Sequence, residues 1–340
     1  MDLYSTGVLN TVVANILGDP QFLIDRYFGT IQTETSEEIH FDVLDGKRRI
    51  APFVSPLVEG QIVAALGFKT FTYKPAYIKD KRVFDMHRPL KRAPGEGFGG
   101  SMSPDARLRA MIATEMQDQL SMLNRRMEVM AAQVLVDGKL TITGDKYPTV
   151  IVDFGRAPGN NVTAVPYWSD PAAKPLVDLA NWSVASLQSQ GIMLNDVLMS
   201  PAVWNAFRAN ESVNIALDRS RALTTPPSLS NNQMLQEGGV YMGSIDSFNI
   251  YVYQGWYVDP ATATERPIMP NNVAVLTSPL LQGVRAFGAI RDEEAGLQAV
   301  PYYVKSWIEP DPSVRFILLQ SAPLLVPYRV NASVSARVLA

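Results

Sequence analysis

The sequence has 340 residues, of which 47% are hydrophobic and none is cysteine. This length and apolar content suffice for about two domains with their own cores, and they exclude an intrinsically disordered chain. The lack of cysteine excludes disulfides, thiol nucleophiles and Cys-ligated metal sites. A net charge of −3 argues against a protein that grips nucleic acid through many phosphate contacts.

The first 30 residues predict an N-terminal arm with weak helical character. Leu9, Val13 and Ile16 recur with helical spacing, and Gly18-Asp19-Pro20 ends the pattern. The segment is either a frayed terminus or a partner-binding arm, and the sequence favours neither. We expect no signal peptide, because Asp2 stands where basic residues are needed. We also expect no membrane span, because no later apolar run reaches the required length of about 18 residues.

The next segment predicts strands. Residues 38–44 alternate apolar and polar side chains as a half-buried strand does, and Asp45-Gly46 predicts a turn. Strand-like pieces separated by turns follow, at residues 49–54, 61–65 and 70–77. These pieces have few core positions of their own, so we expect their edges to pair with a neighbour.

A basic cluster follows, which indicates a solvated face or a subunit contact more readily than a nucleic-acid site. Its members are Lys79, Lys81, Arg82, Arg88, Lys91 and Arg92.

Residues 95–100 read GEGFGG, and Gly95, Gly97 and Gly100 match the spacing of a dinucleotide-binding loop. The context does not fit, because residues 88–94 make a poor strand and Asp118 falls in the middle of a predicted helix. We therefore expect a connector here and no cofactor.

Residues 103–136 predict one long helix with clear end signals. Ser103 provides an N-cap, Pro104 fits the first turn, and Gly138 follows the C-terminus. One apolar stripe recurs every three or four residues, and it consists of Leu108, Ile112, Met116, Leu120, Leu123, Met127, Met130 and Val134. At about 1.5 Å per residue the helix would be about 50 Å long, so other elements must pack along it.

A compact mixed α/β unit is predicted beyond the helix. Residues 140–143 and 149–153 predict a hairpin, and residues 157–162 a polar boundary. A helix within residues 170–190 would turn Leu176, Leu179, Trp182 and Leu187 inward. The other predicted elements are strands at 196–199, 240–242, 248–254 and 273–276, a helix at 201–208, and a long surface loop at 219–236.

Strands return at the end of the chain. They are predicted at residues 300–319, with a break at 309–312, at 320–326 and at 334–339. Their return predicts that the mixed unit is inserted into a domain that the end of the chain completes.

Candidate catalytic residues are scarce. His40 and His87 are the only histidines, and no nucleophile-elbow, zinc-protease or phosphate-loop motif occurs. The run Arg291-Asp292-Glu293-Glu294 predicts a charged turn, because adjacent side chains do not converge on a metal. We predict no catalytic, cofactor-binding or metal-binding residue, and hence a building block rather than an enzyme. Carboxylate pairs that only folding brings together stay open.

The methionines of the long helix predict adaptable core rather than a ligand site. They are Met111, Met116, Met122, Met127 and Met130.

Five segments, in the same order, resemble the lambda-type major capsid proteins of tailed bacteriophages, whose subunits have the HK97 fold. They are FVSPLVEG (53–60), FTYKPAYIKDK (71–81), GKLTITGDKYPTVIVDFGR (138–156), NNVAVLTSPLLQGVRAFGAIRDEEA (271–295) and QSAPLLVP (320–327). The resemblance covers nearly the whole chain. It implies an α+β, HK97-like capsid fold with an N-terminal arm, an extended E-loop, a peripheral domain with a long spine helix, and an axial domain.

The resemblance also implies a domain layout. Its parts are an N-terminal arm (1–30), a peripheral-domain strand (31–44), the E-loop (45–80), the peripheral domain (81–157) with the spine helix (103–136), the axial domain (158–299), the return strands of the peripheral domain (300–328) and the C-terminal strand of the axial domain (329–340).

The function implied by the resemblance is that of a major capsid protein. Pentamers and hexamers would form an icosahedral shell that encloses double-stranded DNA and expands on maturation, within the virion and after assembly in the host bacterial cytoplasm. The implied partners are a separate scaffolding protein, a portal protein and a decoration protein, with DNA contacted weakly and without sequence preference, and no membrane. Two alternatives stay open: another ring- or tube-forming phage structural protein, and a nucleotide-dependent enzyme that uses Gly95, Gly97 and Gly100.

Overall fold

The computed structural model describes residues 6–15, 21–36, 38–44, 68–84, 102–144, 147–222, 233–236, 238–311 and 313–340. Within these ranges the helices are α1 (Thr6–Asn15), α2 (Phe22–Tyr27), α3 (Pro104–Asp137), α4 (Pro175–Gln190), α5 (Pro201–Ala209) and α6 (Glu211–Ala222).

The first strands are β1 (Thr30–Thr33), β2 (Ile39–Leu44), β3 (Phe68–Tyr73), β4 (Ile78–Phe84), β5 (Lys139–Gly144), β6 (Tyr147–Asp153), β7 (Asn161–Thr163), β8 (Asp196–Met199), β9 (Gln233–Gln236) and β10 (Gly239–Ile245). The others are β11 (Phe248–Tyr253), β12 (Trp256–Val258), β13 (Glu265–Pro267), β14 (Val273–Thr277), β15 (Gly283–Phe287), β16 (Tyr303–Pro310), β17 (Ser313–Ser321), β18 (Pro323–Pro327) and β19 (Ser333–Arg337). This mixture of helix and sheet confirms the predicted α+β class.

The longest element, α3, has the ends that the sequence predicts. The Ser103 hydroxyl accepts a hydrogen bond from the backbone N–H of Ala106, and Gly138 ends the helix in the left-handed conformation with φ of 66°. The predicted stripe is buried throughout, except for Leu108, which is half-buried. In the second half of the helix, residues off the stripe such as Val129 and Ala132 are buried as well. This half of α3 is therefore enclosed by other elements, among them α2, β5, β18 and β19.

A seven-stranded sheet forms the other large structure, in the order β7-β19-β14-β8-β11-β10-β9. Its central strand β8 is parallel to β11 and antiparallel to β14, and every residue of β8 is buried. The final strand, β19, pairs with β14 and with β7. The end of the chain thus returns to a sheet built mainly from its middle.

Two three-stranded sheets pair strands from the first third of the chain with strands from the last third. In one three-stranded sheet, β17 pairs with both β16 and β4. In another, β15 is parallel to β1 and antiparallel to β18. Two-stranded hairpins are formed by β2 with β3, β5 with β6, and β12 with β13.

The described part of the N-terminal segment is packed into the molecule. Leu9 and Val13 of α1 are buried, and the Asn10 side chain bonds both backbone polar groups of Val304 on β16. In α2, Phe22 and Tyr27 are among the largest fully buried side chains. Fraying therefore does not describe α1 and α2.

The predicted inward face of the helix at 170–190 is partly wrong. The helix begins at Pro175, Leu179 is buried, and Leu187 is 38% exposed. Ser183 and Ser186 take the inward positions instead. The hydroxyl of Ser183 donates a hydrogen bond to the carbonyl of Leu194, so its buried polar group has a partner. Hydrophobic periodicity would place this serine on the outer face of the helix.

Three predicted boundaries are also wrong. The loop predicted at 219–236 begins inside α6 and ends inside β9, because the first helix breakers of this stretch are Pro226 and Pro227. The strand predicted at 70–77 ends at Tyr73, since Pro75 has no N–H for a ladder. Residues 320–326 do not form one strand, because β17 ends at Ser321 and β18 joins a different sheet. The strand-like pieces at 49–54 and 61–65 lie outside the described residues.

Candidate functional site

Glu128 is a fully buried carboxylate where three elements meet. From α3 it accepts hydrogen bonds from the backbone N–H groups of Leu23 (2.8 Å) and Ile24 (3.1 Å) and from the hydroxyl of Tyr253 (2.9 Å). The two amides lie in the first turn of α2, where N–H groups lack partners within the helix. Burial raises the pKa of Glu128 to about 7, against the opposite effect of these hydrogen bonds. Glu128 thus joins α2 and β11 to α3.

Asp196, at the start of β8, forms a second buried cluster. Its Oδ2 accepts from the Arg26 guanidinium (2.7 Å and 2.8 Å) and from the Tyr27 hydroxyl (3.2 Å). Its Oδ1 accepts from the Asn249 amide (3.2 Å), and the Arg26 guanidinium carbon lies 4.6 Å from the ring centroid of Tyr251. Burial and the charge of Asp196 raise the pKa of Tyr27. The Asp196 side chain is 1% exposed and the Arg26 side chain 29% exposed, and the cluster links α2 to the large sheet.

Arg156 closes the C-terminal end of α3. Its guanidinium donates to the carbonyl of Leu135 (2.7 Å) and to that of Val136, and it also bonds Ser333 (3.2 Å) and Asn161 (2.6 Å). The last carbonyls of a helix lack internal partners, and a cation is favoured there. Burial lowers the pKa of Arg156 to about 10. The guanidinium therefore joins the end of α3 to strands β7 and β19.

Two members of the predicted basic cluster make contacts within the chain. Arg82 binds Asp80 (3.1 Å), Glu115 (2.6 Å) and Asp118 (2.7 Å), and so attaches β4 to α3. The ammonium of Lys81 packs on aromatic rings of β16 and β17. These contacts account for both residues without nucleic acid.

The structure does not gather the other candidate residues into a chemical site. His40 Nδ1 lies 2.9 Å from Thr72 Oγ1 on the paired strand, and Asp292 binds Lys305 and Gln320. Among the described residues, no three His, Asp or Glu side chains converge as metal ligands. Other predicted residues lie outside the described ranges, namely His87, Arg88, Lys91, Arg92, Gly95, Gly97 and Gly100.

A groove of about 560 Å³ lies beside α3, and we call it the α3 groove. It is bounded by α3, β4, β17 and the β12–β13 hairpin. Trp256 and Val258 line it although they are 54% and 60% exposed, and the half-exposed Met122 lies on the α3 side. Lys79, Arg125 and Arg126 add positive charge.

The α3 groove was not predicted from the sequence, and Met122, which lines it, was predicted as core. Met116, Met127 and Met130 are buried as predicted, but Met122 is half-exposed. The only local signal was an apolar pair two residues apart, Trp256 and Val258, in a short strand. This pattern does not reveal that the fold leaves both of these side chains exposed.

Large apolar side chains are also exposed elsewhere. Val177, Val184 and Leu187 follow one another along α4, and Ile308 lies near the tip of the β16–β17 hairpin. Separate exposed apolar patches of this kind are typical of surfaces that contact other chains. In the described part of the chain, no helix has the length and apolar character needed to cross a bilayer.

The fold is of the HK97-like class. The crystal structure of a putative capsid protein from a prophage of Escherichia coli CFT073 superposes with a TM-score of 0.75 at 23% identity, with 100% of each chain covered. That of a phage-related protein from Bordetella bronchiseptica RB50 gives 0.57 at 12% identity, with 97% of this chain and 96% of the other covered.

The chain belongs to the phage major capsid protein E family, whose model matches residues 5–338. It is 29% identical to the major capsid protein of Escherichia phage lambda, with 96% of each chain covered. It is 28% identical to those of Escherichia phage N15, with 96% of each covered, and of Enterobacteria phage phi80, with 99% of each covered. The lambda-type resemblance is therefore confirmed, and the function is that of a structural subunit of the phage capsid shell.

Proposed function

We propose that the chain assembles as pentamers and hexamers into a closed icosahedral shell that encloses packaged double-stranded DNA and expands on maturation. The observation that supports this proposal is the placement of exposed apolar side chains on unlike elements. Val184 lies on α4, Trp256 on β12 and Ile308 on β16. A ring of identical subunits needs two different patches that meet head to tail, and separate patches of this kind supply them.

The proposed domain layout assigns residues 158–299 and 329–340 to the axial domain and residues 31–44, 81–157 and 300–328 to the peripheral domain. Residues 1–30 would form the arm and residues 45–80 the E-loop. The pairing of β19 with β14 supports the first assignment, and that of β4 with β17 supports the second. In this layout β15, which pairs with β1 and β18, would form the junction between the two domains.

The proposed partners are a separate scaffolding protein, a portal protein and a decoration protein, with assembly in the host bacterial cytoplasm. Packaged DNA would be contacted weakly. The net charge of −3 supports weak contact, because a wall that held many phosphates would oppose the movement of DNA during packaging. We also propose that the subunit has no catalytic activity and binds no cofactor.

The test is to co-express the chain with the candidate scaffolding protein from its own phage and to image the purified particles by electron microscopy. Closed icosahedral particles with pentamers and hexamers are expected. Open tubes would favour the alternative of another ring- or tube-forming phage structural protein. Discrete oligomers that bind a dinucleotide would favour an enzyme that uses Gly95, Gly97 and Gly100.

A further inference from the structure

The apolar wall of the α3 groove is left exposed by the described residues of its own chain. Its β12–β13 wall presents Trp256 and Val258 to solvent, although burial normally stabilises large apolar side chains. Lys79, Arg125 and Arg126 stand around these apolar groups. Two acids, Asp80 and Glu265, also line the groove, so its lining carries three cations and two carboxylates. The groove therefore suits an apolar segment with negative charge.

The β16–β17 hairpin ends in a segment of this composition. Ile308 is 50% exposed, and Glu309 and Asp311 are exposed beside it. A cross-strand aromatic pair stabilises the hairpin, because the Trp307 and Phe316 rings stack with centroids 5.4 Å apart. Its tip thus presents one apolar side chain and two carboxylates on a supported scaffold.

The tip cannot reach the groove of its own chain. Leu319 of β17 lines the groove and pairs with Asp80, whereas Asp311 lies at the opposite end of the same hairpin. Eight residues of extended strand separate them, which is roughly 26 Å. A tip that occupies an α3 groove must therefore come from another chain.

We propose that the α3 groove binds the β16–β17 hairpin tip of a second copy of this chain. Ile308 contacts Trp256 and Val258, and Glu309 and Asp311 meet Arg125 and Arg126. The contact joins two unlike patches, so it is heterologous and can be repeated from subunit to subunit. This inference rests on the shell assembly proposed above and names one of its contacts.

The lack of cysteine in the sequence permits a clean crosslinking test. Asp311→Cys and Val258→Cys are introduced together, particles are assembled with the scaffolding protein, and the particles are oxidised and run on a non-reducing gel. Covalent ladders longer than dimers are expected, because each chain carries both halves of a head-to-tail contact. Each single variant can give dimers at most.

The matched control pairs Asp311→Cys with Ile151→Cys, since Ile151 is as exposed as Val258 (62% against 60%) but lies on the β5–β6 hairpin. This pair is expected to give no ladder. Particles of the first pair that give no ladder, or equal ladders from both pairs, would overturn the proposed contact while the shell function stands. Failure of the unsubstituted chain to form closed particles would instead count against the proposed function.

A charge-reversal series tests the same contact if cysteine variants assemble poorly. Arg125→Glu with Arg126→Glu is expected to lower particle yield about tenfold, since like charges then face each other across the contact. Adding Glu309→Arg and Asp311→Arg to the same chain is expected to restore the yield. Circular dichroism of each unassembled variant checks that it is folded. Folded chains with no restoration would overturn the proposal.

Discussion

At the scale of single residues, Glu128 links the pH of the solution to the stability of the subunit. The pKa of Glu128 is about 7 in the folded chain and ordinarily 4.5. Between these values the folded chain binds more protons than the unfolded chain, so the free energy of unfolding falls as pH rises through this window. The difference corresponds to about 3 kcal/mol. Glu128→Gln removes the titration, so we expect the variant to lack this decrease.

The measurement is urea denaturation of the unassembled subunit at several pH values from 4.5 to 7. The difference in unfolding free energy between the parent chain and Glu128→Gln isolates the contribution of this carboxylate. Glu309→Gln, at an exposed position, is the control and should leave the pH profile of the parent chain unchanged. Parallel profiles for the parent chain and Glu128→Gln would show that the buried carboxylate does not control this dependence.

We predict that a positive charge alone cannot replace the guanidinium of Arg156. Its planar guanidinium forms hydrogen bonds with the carbonyls of Leu135 and Val136 and with the side chains of Asn161 and Ser333. A lysine ammonium keeps the charge but cannot span these groups, so Arg156→Lys should destabilise the subunit by about 2–4 kcal/mol in chemical denaturation.

Arg208→Lys, on the exposed face of α5, is the matched control for this substitution and should change stability by less than about 0.5 kcal/mol. Equal effects of the two substitutions would contradict a special role for the guanidinium of Arg156.

At the scale of elements, the start of α3 depends on its N-cap. The Ser103 hydroxyl accepts the N–H of Ala106 at 3.2 Å, and Ser103→Ala leaves that amide without its partner. The expected loss of stability is about 1 kcal/mol, measured by chemical denaturation. Ser103→Asp keeps an acceptor in place and should retain the stability. An unchanged Ser103→Ala variant would mean that packing alone sets the start of the helix.

Elements with strong local signals could be predicted from the sequence. Ser103 and Gly138 mark the ends of α3, and the predicted strand at 196–199 matches β8 residue for residue. The inward face of α4 could not, because Ser183 is buried through a hydrogen bond to Leu194 that lies beyond the helix. Hydrophobic periodicity does not register a polar residue whose partner is supplied by the fold.

The functional features were harder to predict than the elements. Glu128 falls among helical residues where a carboxylate would usually face solvent, and its partners Leu23 and Tyr253 are 105 and 125 positions away. The α3 groove likewise combines residues from β4, α3 and β12. The function was nevertheless recognisable, because segment order over the whole chain resembled a known family, and this resemblance needed no site.

At the scale of the whole molecule, buried ionic groups hold together segments that are distant in sequence. Glu128 and Asp196 both bind α2, the first from the long helix and the second from the large sheet. Arg156 joins the other end of α3 to β7 and β19. The long helix, the sheet and the N-terminal segment are thereby fixed as one unit, which leaves the exposed hairpins free to serve assembly.

The proposed E-loop role can be separated from folding because the β2–β3 hairpin fixes its two ends. Leu44 pairs with Phe68 across the antiparallel hairpin, so their Cα atoms lie about 5 Å apart, a distance that a two-residue turn can close. Replacement of residues 45–67 by Asn-Gly should therefore leave a folded subunit with an unchanged thermal midpoint. We expect it to form no closed particles, because the segment proposed to reach a neighbouring subunit is gone.

Sedimentation velocity and electron microscopy of the shortened chain, co-expressed with the scaffolding protein, would measure its assembly. The matched control replaces residues 145–146 by Asn-Gly in the β5–β6 hairpin, where Gly144 pairs with Tyr147, and should preserve both folding and shells. If the shortened chain gave shells at the parental yield, residues 45–67 would not be needed for assembly. Loss of shells with an unchanged thermal midpoint would place these residues between subunits, since a segment needed only within its own chain would lower the midpoint when removed.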